Sequence, residues 1–166
     1  MDRKKSIDLL NTAVADELHA VHQYMYFHFH LDDLGFGPLA LLFKRTAIEE
    51  MVHIELLAER ILFLKGDVEL VASGDVEKIT EPEAMLVKAS QMEEHSAADY
   101  NKAAIECSAN ADSASKQIFE GLVADEERHF EQYDKQLDNI KRFGTSYLAL
   151  QSFGPGEGDG PAQGPQ

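Results

Sequence analysis

Two stretches decide how this chain folds: Glu50-Met51-Val52-His53 and Glu126-Glu127-Arg128-His129. Both have the form Glu-x-x-His. Residues three apart on a helix share a face, so each stretch turns one carboxylate and one imidazole the same way. A single copy in a glutamate-rich chain is ordinary surface decoration, because glutamate is usually exposed. Two copies, each in the middle of a long helical segment, are far more specific. Two other segments each offer a carboxylate near their own middles: Glu17 in Asp16-Glu17-Leu18, and Glu93 or Glu94 in Met92-Glu93-Glu94-His95.

Outward from these motifs, four long segments read as helices. The first runs from about Ser6 to Leu34, with Leu10, Val14, Leu18, Val21 and Met25 at helical spacing. Gly35, Gly37 and Pro38 stop it. The second starts at Pro38, whose fixed φ suits a first helical turn, and ends at Lys65 before Gly66. The third runs from Glu81 or Pro82 to Ala109, and the fourth from Ser113 to Arg142 before Gly144. Each holds roughly 28 residues, about 42 Å at 1.5 Å per residue. Four helices of nearly equal length with two tight turns make a bundle. The connection from Gly66 to Thr80 holds fifteen residues, long for a compact domain. A crossover from one end of the bundle to the other explains it and sets the second and third helices parallel. The fold is therefore all-α: a four-helix bundle with a long crossover between helices two and three. Tyr147-Leu148-Ala149-Leu150 reads as a short fifth helix, docked because it is too short to stand alone. Residues 1–153 form the domain. Gly154 to Gln166 has five glycines and three prolines in thirteen residues and reads as a disordered tail.

One glutamate from each of two helices and a Glu-x-x-His from each of the other two is the recipe for a pair of metal ions inside a bundle. Helical phase selects Glu93 over Glu94, because Leu86, Glu93, Ala97, Tyr100 and Ala104 form one stripe. The expected ligands are Glu17, Glu50, His53, Glu93, Glu126 and His129. Carboxylates bridge cations, and four of them balance two M²⁺. Imidazole suits Fe(II) and leaves room for dioxygen, which points to two iron ions. Without metal, four buried carboxylates would repel one another at a high desolvation cost. A zinc hydrolase does not fit, since no His-Glu-x-x-His run is present. Glu49, Glu94 and Glu127 read as a solvated or cavity-side face. His19, His22, His28 and His30 read as surface or interface residues, and His95 faces away from Glu93. Tyr24, two turns after Glu17, either bonds a ligand carboxylate, supplies an electron or packs in the core. Met51 lies about 100° around the helix from Glu50, toward the outer face, where an ordinary interface methionine also fits.

The composition narrows the partners. Thirty acids against fifteen bases give a net charge of -15, which repels nucleic acid and anionic membrane surfaces. No run of about eighteen apolar residues exists, so no membrane span is expected. The start, Met1-Asp2-Arg3-Lys4-Lys5, leads into a polar segment and not an apolar signal core, so a cytoplasmic location is expected. Cys107 is alone, which rules out an internal disulfide and leaves it as a small packed residue.

With these residues in place, the chain resembles the bacterioferritins, the haem-containing members of the ferritin-like superfamily, from about Ser6 to Phe153. The sharpest likeness is Glu49-Glu50-Met51-Val52-His53 followed by Ala58-Glu59-Arg60-Ile61-Leu62-Phe63-Leu64-Lys65-Gly66. Asp125-Glu126-Glu127-Arg128-His129 and Gly144-Thr145-Ser146-Tyr147-Leu148 support it. The resemblance implies hollow shells of 24 subunits built from twofold dimers. It implies a ferroxidase that oxidises Fe(II) with dioxygen or peroxide and stores the ferric product as a mineral. By position, the six ligands above become the ferroxidase ligands, with Glu50 and Glu126 as the bridging pair. Tyr24 matches a tyrosine close to the di-iron site. Met51 falls on the haem position, which implies one b-type haem per dimer between two Met51 side chains. A small electron-donor protein such as a ferredoxin is an implied partner. Three positions depart from the family pattern. Arg45 replaces an inner-surface histidine, Glu49 replaces an aspartate, and Gln132 stands at a position often held by tryptophan. Rubrerythrin-like peroxide reduction is the alternative, although the two Cys-x-x-Cys pairs usual in that group are absent.

Overall fold

The computed structural model describes residues 1–154. Of the tail read as disordered, residues 155–166 lie outside the described residues. Five helices follow in order: α1 (Arg3–Asp33), α2 (Gly37–Phe63), α3 (Pro82–Ala109), α4 (Ser113–Phe143) and α5 (Thr145–Leu150). α1 starts three residues earlier than the apolar pattern indicates. Asp2 caps it, its carboxylate accepting from the Lys4 and Lys5 backbone N–H groups. α1 turns into α2 through Gly35, at φ 79°, a conformation glycine takes without strain. α3 turns into α4 through Ala111, also left-handed at φ 55°, and Asp112 caps α4.

α1 pairs chiefly with α2, and α3 with α4. α2 ends beside the start of α1, where Gly66 is so close to Ile7 that an added Cβ would meet its side chain at 2.9 Å. The long connection then climbs along α1. The Asn11 side chain donates to Asp67 O and accepts from Glu69 N. Three turns further on, Gln23 does the same for Glu77 O and Glu77 N. Between them Ser73 N donates to Ala15 O. The connection therefore crosses to the opposite end before α3 begins, and α2 and α3 run the same way. Buried Gln23 and Asn11 supply the backbone partners that an irregular segment against a helix otherwise lacks.

The interior has two apolar clusters. One holds Tyr24, Phe27, Leu31, Leu39, Phe43, Met85, Leu86 and Tyr133. The other holds Leu10, Val14, Leu57, Ile61, Tyr100, Cys107, Phe119 and Leu122. On every long helix the residues between the two clusters are the acids and histidines singled out above. Cys107 is fully buried. α5 caps the first cluster through Tyr147 and Leu148, and the Tyr147 hydroxyl donates to Gln136. Among the described residues, no helix is long and apolar enough to cross a membrane.

Candidate metal centre

Six polar side chains meet between the two apolar clusters. Glu17 comes from α1, Glu50 and His53 from α2, Glu93 from α3, and Glu126 and His129 from α4. All are at most 5% exposed. One oxygen or ring nitrogen from each of Glu17, Glu50, His53 and Glu126 lies within 4.8 Å of the others. Glu50, Glu93, Glu126 and His129 form a second such group. The two groups share Glu50 and Glu126, so these atoms can hold two cations bridged by two carboxylates. Both Glu50 oxygens, Glu126 Oε1, His53 Nδ1 and His129 Nδ1 are buried without an aligned hydrogen-bond partner. The contacts are nevertheless close: His53 Nδ1 is 2.8 Å from Glu50 Oε2, and His129 Nδ1 is 3.1 Å from Glu50 Oε1. Atoms that approach one another without aligning are aimed at a common point, as ligands of a metal are.

The electrostatics agree. Burial pushes the Glu17 and Glu93 carboxyls well above the usual carboxylate range, and the Glu50 charge adds to it. Burial alone would also raise the Glu126 carboxyl, but His129 and His53 hold it low. Burial opposes protonation of His53, yet the carboxylates of Glu126, Glu17 and Glu50 outweigh it and push it up to about 12. Burial likewise opposes protonation of His129, and Glu126, Glu50 and Glu93 outweigh it and raise it. Four acids in so small a volume need positive charge, here the two raised histidines, and two divalent cations would supply it in their place.

The surrounding shell shows what the sequence pattern left open. Tyr24 donates to Glu93 Oε1 at 2.5 Å and also packs in the apolar cluster beside Phe43 and Tyr133. Tyr100, which the sequence reading used only to set the helical phase, donates to Glu17 Oε1 at 2.8 Å. Its signal was available: it follows Glu93 by seven residues, as Tyr24 follows Glu17. Glu49 is not simply a solvated glutamate, because its Oε2 accepts from His129 Nε2 at 2.8 Å. Asp125 Oδ2 stands 3.3 Å from His53 Nε2. Glu94 and Glu127 are exposed, as read. His95 pairs with Asp99 at 3.0 Å and takes no part. Of the α1 histidines read as surface or interface residues, His28 is buried, with Nδ1 2.9 Å from Ala40 O. Its phase on α1 turns it toward α2, which an unpaired helical pattern does not reveal. Arg45 is exposed and Gln132 half-buried.

Met51 stands apart from the six. It is 53% exposed and shares its helix face with Ile48 and Val52, also about half exposed. An exposed thioether on an apolar strip has the chemistry of a soft ligand beside an apolar surface.

Such a bundle, with two overlapping carboxylate–histidine groups at its centre, defines a dinuclear protein of the ferritin-like class, and the Ferritin-like domain model matches residues 7–143. The Desulfovibrio desulfuricans bacterioferritin is 37% identical over 151 residues, covering 89% of this chain and 83% of that one. The Rhodobacter capsulatus bacterioferritin is 35% identical, covering 91% and 94%. The chain belongs to the bacterioferritin family. A solved D. desulfuricans bacterioferritin, in a study of its diiron site in different catalytic states, superposes with a TM-score of 0.91 at 33% identity over 99% of this chain and 95% of that one. The R. capsulatus protein, solved with a metal-free dinuclear site and with its haem iron on a crystallographic special position, gives 0.87 at 32% identity over 92% and 95%.

Proposed function

We propose that this chain stores iron and is a ferroxidase. Two Fe(II) ions are its substrates, held by Glu17, Glu50, His53, Glu93, Glu126 and His129, with Glu50 and Glu126 shared. The observation that carries this reading is the pair of buried ligand groups with those two carboxylates in common. Each Fe(II) gives up one electron. With dioxygen and two protons the products are two Fe(III) and hydrogen peroxide. With peroxide and two protons they are two Fe(III) and two waters. The carboxylates carry the charge that stabilises Fe(III) over Fe(II). Tyr24 and Tyr100 keep Glu93 and Glu17 turned toward the metal. The ferric product is stored as mineral inside a homo-oligomeric shell of 24 subunits assembled from twofold dimers, in the cytoplasm. The bundle, residues 1–153, is the functional domain, and residues 154–166 are a tail that assembly does not need.

Met51 is the residue that would hold a haem, one thioether from each subunit of a dimer. The exposed strip of Ile48, Met51 and Val52 supports this. A bound haem supplies one-electron redox chemistry, which suits electron transfer from a small donor protein such as a ferredoxin. The decisive experiment on the ferroxidase is stopped-flow Fe(II) oxidation by the unchanged chain and by Glu126→Ala and His129→Ala. Fast oxidation disappears from both variants while their helices persist. Rates equal to the unchanged chain would place the chemistry elsewhere.

A further inference from the structure

On the rim between α2 and α4, a hydrogen-bonded bridge joins the two histidines of the centre from outside. His53 Nε2 lies 3.3 Å from Asp125 Oδ2, and His129 Nε2 lies 2.8 Å from Glu49 Oε2. One nitrogen of Arg128, Nη2, donates both to Asp125 Oδ1 at 2.9 Å and to Glu49 Oε2 at 2.6 Å. The sequence of contacts is therefore His53, Asp125, Arg128, Glu49, His129, passing between α2 and α4 three times. The two rings lie 5.9 Å apart and within 28° of parallel, with their Nδ1 atoms toward the carboxylates inside.

We propose that Arg128 is a positioning residue of the dinuclear centre, holding both ligand imidazoles at once through Asp125 and Glu49. This rests on the ferroxidase reading above. A histidine that binds metal through Nδ1 carries its proton on Nε2, and a carboxylate that accepts a hydrogen bond from this N–H sets the tautomer and the ring plane. Here the two carboxylates that do so are each more than two-fifths exposed and lie on different helices. Left to themselves they repel each other and turn to water. The Arg128 guanidinium between them cancels that repulsion and restrains both in a fixed planar geometry, which the flexible point charge of lysine reproduces only in part. Exposed ion pairs of this kind add little to fold stability. What the bridge contributes is ligand orientation, and it does so for both metal positions together. On the inside the two ligand groups are coupled through Glu50 and Glu126, and on the rim through Arg128.

Co(II) titration followed by its visible absorption tests this, with oxidation kept out of the readout. The unchanged full-length chain binds two Co(II). Arg128→Gln weakens both binding steps by roughly tenfold or more, the usual effect of losing an outer partner of a ligand histidine. Glu49→Gln weakens chiefly one step and Asp125→Asn the other. Arg128→Lys recovers part of the loss, and thermal midpoints of all four variants stay close to that of the unchanged chain. Two Co(II) bound by Arg128→Gln with unchanged affinity would overturn the proposal alone, as would weakening of a single step. An unchanged chain that binds no Co(II) pair would overturn the dinuclear reading, and the proposal with it.

Discussion

The Tyr100 hydroxyl, from α3, donates at 2.8 Å to Glu17 Oε1 on α1. The reverse contact is also present: Tyr24 on α1 donates at 2.5 Å to Glu93 Oε1 on α3. Each tyrosine follows its own helix's glutamate by seven residues, so α1 and α3 are equivalent halves that exchange hydrogen bonds across the centre. Tyr24 also packs on Phe43 and Tyr133, contacts that a phenylalanine keeps.

Tyr100→Phe and Tyr24→Phe are therefore expected to act alike. Each leaves a buried carboxylate short of one donor, a loss of about 1–3 kcal/mol, and each slows Fe(II) oxidation by roughly tenfold. Stopped-flow rates check this. A far larger loss in Tyr24→Phe than in Tyr100→Phe would show that Tyr24 supplies an electron and does more than orient Glu93.

Metal is expected to stabilise the fold, because it relieves repulsion among Glu17, Glu50, Glu93 and Glu126. Zn(II), which is not oxidised, at a hundredfold excess over its dissociation constant adds about 2.7 kcal/mol for one site. For a chain of this size that raises the thermal midpoint by roughly 5–10 °C. Glu50→Ala removes a carboxylate shared by both groups, and calorimetry of this variant should show little or no rise.

Met51→Leu keeps the size and apolar character of the exposed strip and removes the sulfur. The unchanged chain, made with ample haem supply, is expected to carry one haem per dimer with a reduced spectrum typical of bis-methionine ligation. The variant loses that spectrum while dimer formation and fast iron oxidation continue. Haem at full occupancy in Met51→Leu would reject this ligand.

Asp112 supplies a pH dependence away from the metal. Burial by itself would raise its carboxyl, but Ser115, Ser6 and Arg60 hold it below its ordinary 3.8. Its Oδ1 accepts from Arg60 Nη2 at 2.5 Å and from the backbone of Ser115 at 3.2 Å. A depressed folded-state value means that this stabilisation is complete above about pH 4 and fades as pH falls through the folded value. Asp112→Asn keeps an acceptor for the α4 cap but loses the charge opposite Arg60. It is expected to cost about 2 kcal/mol near pH 7, with the gap to the unchanged chain closing in acid. Thermal midpoints from pH 3 to pH 7 measure it.

Much of this molecule is legible along one dimension. Helical periodicity and the Gly and Pro stops define four long helices, and the length of the connection after Gly66 implies the crossover. An i, i+3 spacing compels Glu50 with His53, and Glu126 with His129, to share a face whatever surrounds them, and Met51 must then point away. Helical phase likewise turns Glu17 and Glu93 inward, each on its own helix, while their arrival at the height of the other four depends on packing. Tertiary structure alone decides the contacts between residues distant in sequence. Tyr100 reaches Glu17 across 83 positions, and Arg128 reaches Glu49 across 79. Glu49 and Asp125 each sit one residue before a predicted ligand, turned about 100° away, a position from which a side chain can face water or reach back to an imidazole on the neighbouring helix. Which of these occurs depends on helix separation and rotation, set by packing of the two apolar clusters. The sequence determines the six inward side chains because helix geometry is local. The tyrosines and the arginine bridge that hold them in place follow from how the helices pack, which is not.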